Sequence, residues 1–222
     1  MPERFIPLAT GEYYHIYNRG LRKQPTFLEK RDYELALLGL VYYQAIEPPF
    51  KFSVFRKLSV AERRQVLDDL ARRPKLVTII CFCLMPNHFH LLLRQEVDGG
   101  ISTFLRRWTN SYTRLFNTRH EQDGPLFQGA FKAVHVSSNE QLLHLSRYIH
   151  LNPFVSLIVK ESAFLSYPWS SLGEYASGKT VRCQSDVILD QFKSPQDYLR
   201  FVLDRAEYAR EIKVIEHLIL EN

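Results

Sequence analysis

Three short stretches of this 222-residue chain carry side chains suited to chemistry on phosphate. The first is His88-Phe89-His90. Residues i and i+2 of a strand share a face, so both imidazoles point the same way, about 7 Å apart along the strand, with Phe89 opposite. Two neutral imidazoles so placed can converge on one divalent ion. By residue type alone the pair equally describes a satisfied or exposed couple without metal, a zinc site, or another divalent centre. The second stretch is Arg147-Tyr148-Ile149-His150-Leu151-Asn152-Pro153. Tyr148 and Asn152 are four apart, hence on one face of a helix, and His144 extends their row. Leu142, Leu145 and Ile149 form an apolar stripe on the opposite face. A phenol loses its proton near pH 10 in water, and a neighbouring cation favours the phenolate, which can attack phosphorus. The third set is basic or amide: Arg107, Asn110 and Arg114 on one face of a predicted helix, Arg19 and Arg22 at the end of a predicted strand, and Lys132 beside another. These are candidate contacts to the phosphates of a polyanionic partner. His15 and His135 read as structural residues, and Tyr13, Tyr14 and Tyr17 as core or base-stacking aromatics.

These residues need elements to hold them. Glu12 to Arg19 is rich in Tyr, Ile and His and reads as a strand. Arg31 to Ile46 has Leu35, Leu38 and Tyr42 at helical spacing and ends at Pro48-Pro49. Ser59-Val60-Ala61-Glu62 is a capping box that opens a second helix, closed by Pro74. Lys75–Leu84 and His88–Leu93 are apolar strands joined through Met85-Pro86-Asn87, hence an antiparallel hairpin. A helix over 102–118 buries Leu105, Trp108, Tyr112 and Leu115. A strand over 131–136 precedes a helix over 139–151, which is expected to close before Pro153. With the helix inside residues 50–74 set aside as an insertion, the order is β-α-β-β-α-β. That is the α+β, split βαβ pattern of ferredoxin-like and RRM-like sandwiches with an antiparallel sheet. We expect one domain over residues 1–160 and an extension over 161–222 packed on it. The extension has a helix from Pro195 and a segment, 212–220, that fits helix or strand.

Composition narrows the function classes. At 45% hydrophobic and 24% charged, the chain can bury a core, yet no apolar run approaches the ~18 residues of a membrane span. The start, Met1-Pro2-Glu3-Arg4, has no apolar core of a secretory signal behind it. Cys81, Cys83 and Cys183 fit reduced thiols, and we expect a cytoplasmic protein. The net charge of +5 is unevenly spread. Residues 1–160 hold 22 basic and 14 acidic side chains, and residues 161–222 hold 7 and 10. A basic body with an acidic tail suits a polyanionic partner.

Taken together the motifs resemble a known family. The run Cys83-Leu84-Met85-Pro86-Asn87-His88-Phe89-His90-Leu91-Leu92-Leu93 is followed in order by Asn110-Ser111-Tyr112-Thr113-Arg114, Leu126-Phe127-Gln128-Gly129, Phe131-Lys132-Ala133 and Tyr148-Ile149-His150-Leu151-Asn152-Pro153. With His15-Ile16-Tyr17-Asn18-Arg19-Gly20 and Pro168-Trp169-Ser170-Ser171, this resembles the HUH single-tyrosine transposases, and among them the REP-associated tyrosine transposases. The resemblance implies a transposase in which Tyr148 is the nucleophile, and His88, His90 and Asn152 hold Mg²⁺ or Mn²⁺. It implies cleavage and rejoining of single-stranded DNA beside a hairpin of imperfect palindrome, through a 5′-phosphotyrosine, by a monomer or homodimer. Rejoining would need no ATP, in keeping with the lack of a Gly-rich phosphate loop with its lysine. Two places depart from the family pattern: Ala130 stands where arginine is usual, and Phe154-Val155-Ser156-Leu157 replaces a run containing lysine. Both remove a basic side chain near the expected site, which keeps a second reading open, a domesticated protein that binds hairpins with little strand transfer.

Overall fold

The computed structural model describes residues 8–179 and 181–204. Four strands form one antiparallel sheet: β1 (Tyr13–Arg19), β2 (Val77–Met85), β3 (His88–Gln95) and β4 (Lys132–Val136), in the spatial order β2-β3-β1-β4. Between them run α1 (Lys30–Tyr42), α2 (Phe52–Phe55), α3 (Val60–Ala71) and α4 (Gly100–His120). After β4 come α5 (Asn139–Val155), α6 (Leu172–Ser177), α7 (Asp186–Leu189) and α8 (Pro195–Leu203). Without α2 and α3 this is the expected split βαβ order. Segment 212–220 lies outside the described residues.

Strand alternation sorts the sheet into two faces. On one, Phe89, Leu91 and Leu93 of β3 join Tyr14 and Ile16 of β1 in the core. Phe89 meets Trp108 of α4 edge-on at 4.8 Å, so α4 covers this face. Trp108 is fixed in turn, because its indole N–H donates to the Ala36 carbonyl of α1 at 2.9 Å. The other face carries the histidines. Tyr17 pairs with His90 and Arg19 with His88 across β1 and β3, and paired residues share a side. α5 lies over this face, mainly against β2.

The Ser59–Glu62 capping box is present, with the Ser59 N–H donating to Glu62 Oε2 at 2.8 Å and the Glu62 N–H to Ser59 Oγ at 3.3 Å. α2 and α3 form a small core of their own: Tyr42, Ala45, Phe52, Phe55 and Leu70 are buried together, and Leu115 of α4 packs against them. Leu115 therefore faces this insertion, half-buried, rather than the sheet as the rest of its stripe does.

The helix expected to stop before Pro153 instead runs through it to Val155. A proline within the last turn forfeits one backbone bond of the helix. The end is closed by the Ser156 N–H on the Asn152 carbonyl at 3.0 Å and the Ile158 N–H on the Pro153 carbonyl at 2.9 Å.

The outer edge of β2 is occupied by the chain's own later residues. The Leu84 N–H donates to the Trp169 carbonyl at 2.8 Å, the Ser171 N–H to Phe82 at 3.0 Å and the Gln184 N–H to Ile79 at 2.8 Å. The phenol of Tyr175 donates to Ile80 at 2.9 Å and that of Tyr167 to Leu84 at 2.8 Å.

Candidate active site

The β2–β3 turn places His88 at the mouth of the hairpin and His90 one pleat further in. Their rings are perpendicular, with centroids 5.0 Å apart. Each ring has its Nδ1 engaged: His88 Nδ1 meets Asn87 Oδ1 at 2.7 Å, and His90 Nδ1 meets His15 Nε2 at 2.9 Å. Metal-ligating imidazoles are held in this manner, one nitrogen on a polar neighbour that sets ring orientation and the other left to face the ion. His15 is reached because β1 sits beside β3: it is the diagonal neighbour of His90 on the shared face, and the two rings stack at 5.1 Å. Burial lowers the pKa of His15 from 6.5 to about 4, so at neutral pH it is uncharged. Tyr17 completes the group, 5.0 Å from the His15 ring and 6.0 Å from that of His90.

α5 brings Tyr148 over this cluster. Its ring stands edge-on to His90 at 5.5 Å and to His15 at 6.1 Å, and it remains 41% exposed. Tyr148 and the histidines thus meet within one chain. One turn on, Asn152 is buried, and its Nδ2 donates to the Tyr148 carbonyl at 2.9 Å. That bond fixes the amide and makes Oδ1 its acceptor end. Among the described residues no three His, Cys, Asp or Glu side chains gather as a metal-holding group. The candidate donors are the two imidazoles of His88 and His90 and, one turn beyond Tyr148, the amide oxygen of Asn152; imidazoles suit borderline divalent ions and an amide oxygen harder ones.

The next helical row holds α5 in place. His150, fully buried, meets Tyr198 Oη through Nδ1 at 2.7 Å and Ser171 Oγ through Nε2 at 2.7 Å. Tyr198 donates to Ser146 Oγ at 3.1 Å, and Ser171 Oγ accepts from the Phe82 N–H at 2.9 Å. Burial drives the pKa of His150 down from 6.5 to about 3, so it works as a neutral hydrogen-bonding hub between α5, α8 and β2. The rotation of α5, and with it the aim of Tyr148, is set here. In the sequence His15 reads as structural and His150 carries no assigned role: the bond of the first to His90 needs the strand order to be known, that of the second to Tyr198 the seat of the C-terminal helix.

The six basic or amide residues separate into two groups. Arg19 pairs with His88 and Lys132 with Tyr17 in register, both exposed on the histidine face, while Arg22 is exposed in the short turn that follows β1. Arg107, Asn110 and Arg114 lie on α4, which covers the opposite face of the sheet. Arg107 is half-buried and donates to the Ile46 carbonyl at 2.8 Å, so it braces the end of α1. Tyr14 is buried core, and His135 bonds Glu12 at 2.8 Å at the surface.

Over residues 41–152, half of the chain, the sequence matches the family described as "Transposase IS200 like". The chain belongs to the IS200-like transposase family. The match takes in His88, His90, Tyr148 and Asn152 and leaves out β1 with His15. No curated protein matches the chain. Among solved structures it is similar to a REP-associated tyrosine transposase bound to a REP hairpin, with 15% identity and a TM-score of 0.53 over 83% of this chain and 91% of that one. At that identity the likeness speaks for the fold alone, and the four-stranded antiparallel α+β sheet is consistent with it. Among the described residues no helix is long and apolar enough to cross a membrane.

Proposed function

We propose that this IS200-like transposase cuts and rejoins single-stranded DNA next to a hairpin, with Tyr148 as nucleophile. The observation that carries the reading is the exposed Tyr148 phenol held edge-on to His90 within one chain. The Tyr148 oxygen would attack the scissile phosphorus, forming a P–O bond to the phenol while the bond to the 3′-oxygen breaks. The phenolic proton leaves to water, and the departing 3′-oxygen takes one up. Reversal by another 3′-hydroxyl restores the phosphodiester, and because one phosphoester replaces another no nucleotide cofactor is consumed. His88, His90 and Asn152 would hold a divalent ion, Mg²⁺ or Mn²⁺, whose charge polarises the phosphate and favours the phenolate. In this reading His90 carries its proton on Nδ1, toward His15, and keeps the Nε2 lone pair for the ion. Arg19 and Lys132 on the histidine face, with Arg22 in the turn after β1, would receive the DNA phosphates.

The test is a denaturing gel of the full chain with a labelled single-stranded hairpin substrate and Mn²⁺. A protein–DNA adduct is expected with the unaltered protein and none with Tyr148→Phe. An adduct that survives Tyr148→Phe would overturn the nucleophile assignment. Tight binding with no cleavage in either metal would replace this reading by that of a hairpin-binding protein.

A further inference from the structure

Residues 50–74 hold seven basic side chains, among them Lys51, Lys57, Arg64 and Arg72, against Glu62, Asp68 and Asp69. That excess of four is most of the chain's net charge of five, and all other residues together sum to one. The excess therefore lies on the α2–α3 insertion, whose helices dock on α1 and α4, behind the sheet from Tyr148 and the histidines. Little within the structure neutralises it. Glu62 is turned back onto Ser59 by the capping box, and among the described residues the segment's ion pair is Arg72–Asp69, 3.9 Å apart and exposed on both sides. Such pairs contribute little. The Nε atoms of Arg56 and Arg63 are shielded from water and have no hydrogen-bond partner among the described residues. Arg63, Arg64 and Lys75 also line an open groove of about 1140 Å³ between α1, α3 and residues 181–186, where Lys30 and Arg182 add further positive charge and Glu34, Asp68 and Asp186 are the acidic members.

We infer that the insertion is a second DNA-contact surface, which binds the phosphate backbone of double-stranded DNA without reading its sequence. The inference rests on the DNA-processing function proposed above and adds a contact on the far side of the sheet from the chemistry. The partner class follows from what the surface offers. Single-stranded DNA is gripped by exposed aromatic rings on which bases stack. α3 carries no aromatic residue, Phe52 and Phe55 of α2 are buried, and the exposed apolar side chains here are Phe50, Val54 and Val60. Basic charge with a single exposed ring, Phe50 at its border, suits a duplex, whose bases are already stacked and whose phosphates lie outside. Such contacts position a nucleic acid and add affinity but carry no sequence information. The chain would then hold duplex on its back while it cuts a single strand in front.

The test compares the full-length protein with the triple variant Lys57→Gln, Arg64→Gln, Arg72→Gln, whose side chains are exposed and make no structural bond beyond the weak Arg72 pair. Binding to two duplexes of unrelated sequence is measured over a range of salt. The variant should lose on the order of tenfold in affinity for both duplexes. Its plot of log affinity against log salt should flatten by about 0.9 for each phosphate contact removed. Affinity for an unstructured single strand, and the rate of adduct formation at saturating single-stranded substrate, should stay as they were. An unchanged salt slope on duplex would overturn the proposal and leave the nuclease reading intact. Failure of the unaltered protein to bind any DNA would overturn both.

Discussion

The imidazole of His15 meets that of His90, Nε2 to Nδ1, at 2.9 Å, and so joins β1 to the residue on which the proposed metal site depends. An outer partner of this kind typically changes metal affinity 10- to 100-fold when removed. His15→Ala should therefore weaken Mn²⁺ binding by that factor, measured by titration calorimetry in the absence of DNA. His15→Gln, which can still bond His90 Nδ1, should recover part of the loss. Equal Mn²⁺ affinity in all three proteins would show that His15 has no hold on the site.

Tyr148→Phe should leave the fold alone. The ring is 41% exposed, and its removal of one hydroxyl leaves the edge-on contact with His90 in place. The expected change in unfolding free energy is within about 0.5 kcal/mol, as for other exposed positions. Denaturant melts of the two proteins should coincide, while the adduct disappears.

His150→Ala makes the opposite prediction. It empties a fully buried position and takes a partner from both Tyr198 and Ser171. Combined loss of volume and of buried hydrogen bonds should cost about 2–4 kcal/mol, read from urea unfolding. Tyr198→Phe removes the same bond to His150 together with that to Ser146, so the double variant should lose less than the two single losses together.

Acid should loosen the C-terminal segment from β2 through Glu174. Burial alone would raise this carboxyl's pKa. The N–H groups of Arg182 and Val181, at 2.9 and 2.8 Å, and the Arg182 guanidinium outweigh it and hold the pKa below its ordinary 4.5. A group depressed in the folded state stabilises above its unfolded pKa, and that stability fades as pH falls through the folded one. The unaltered protein should lose stability below about pH 4.5. Glu174→Gln should start lower at neutral pH and show a shallower acid limb. Parallel limbs would remove Glu174 from the acid response.

What could be read in the residues was whatever a local period specifies. The shared face of His88 and His90 follows from alternation in a strand, and Tyr148 and Asn152 follow from helical spacing. The β-α-β-β-α-β order needed only turns, caps and prolines. Pro153 misled, because a proline marks where a helix loses a bond, and near the end of α5 that loss is small. The sheet order was not local. His15 lies 75 residues from His90, and nothing in β1 says which strand it will pair with or which of its two faces will be polar. Arg107, Asn110 and Arg114 showed the converse: a polar helix face is visible in sequence, but the side of the sheet on which the helix lands is not.

The tail over β2 has one more effect. A sheet normally has two lateral flanks at which another chain can add its backbone. Here Trp169, Ser171 and Gln184 fill one of them, and the other, β4, presents exposed Lys132 and His135. A lysine on an outer strand discourages lengthwise growth of the sheet. The molecule is closed against stacking with its own kind on the β2 flank and guarded by charge on the other. Edge-to-edge joining of two such sheets should therefore be disfavoured even in a concentrated pool, and neither device covers the histidine face.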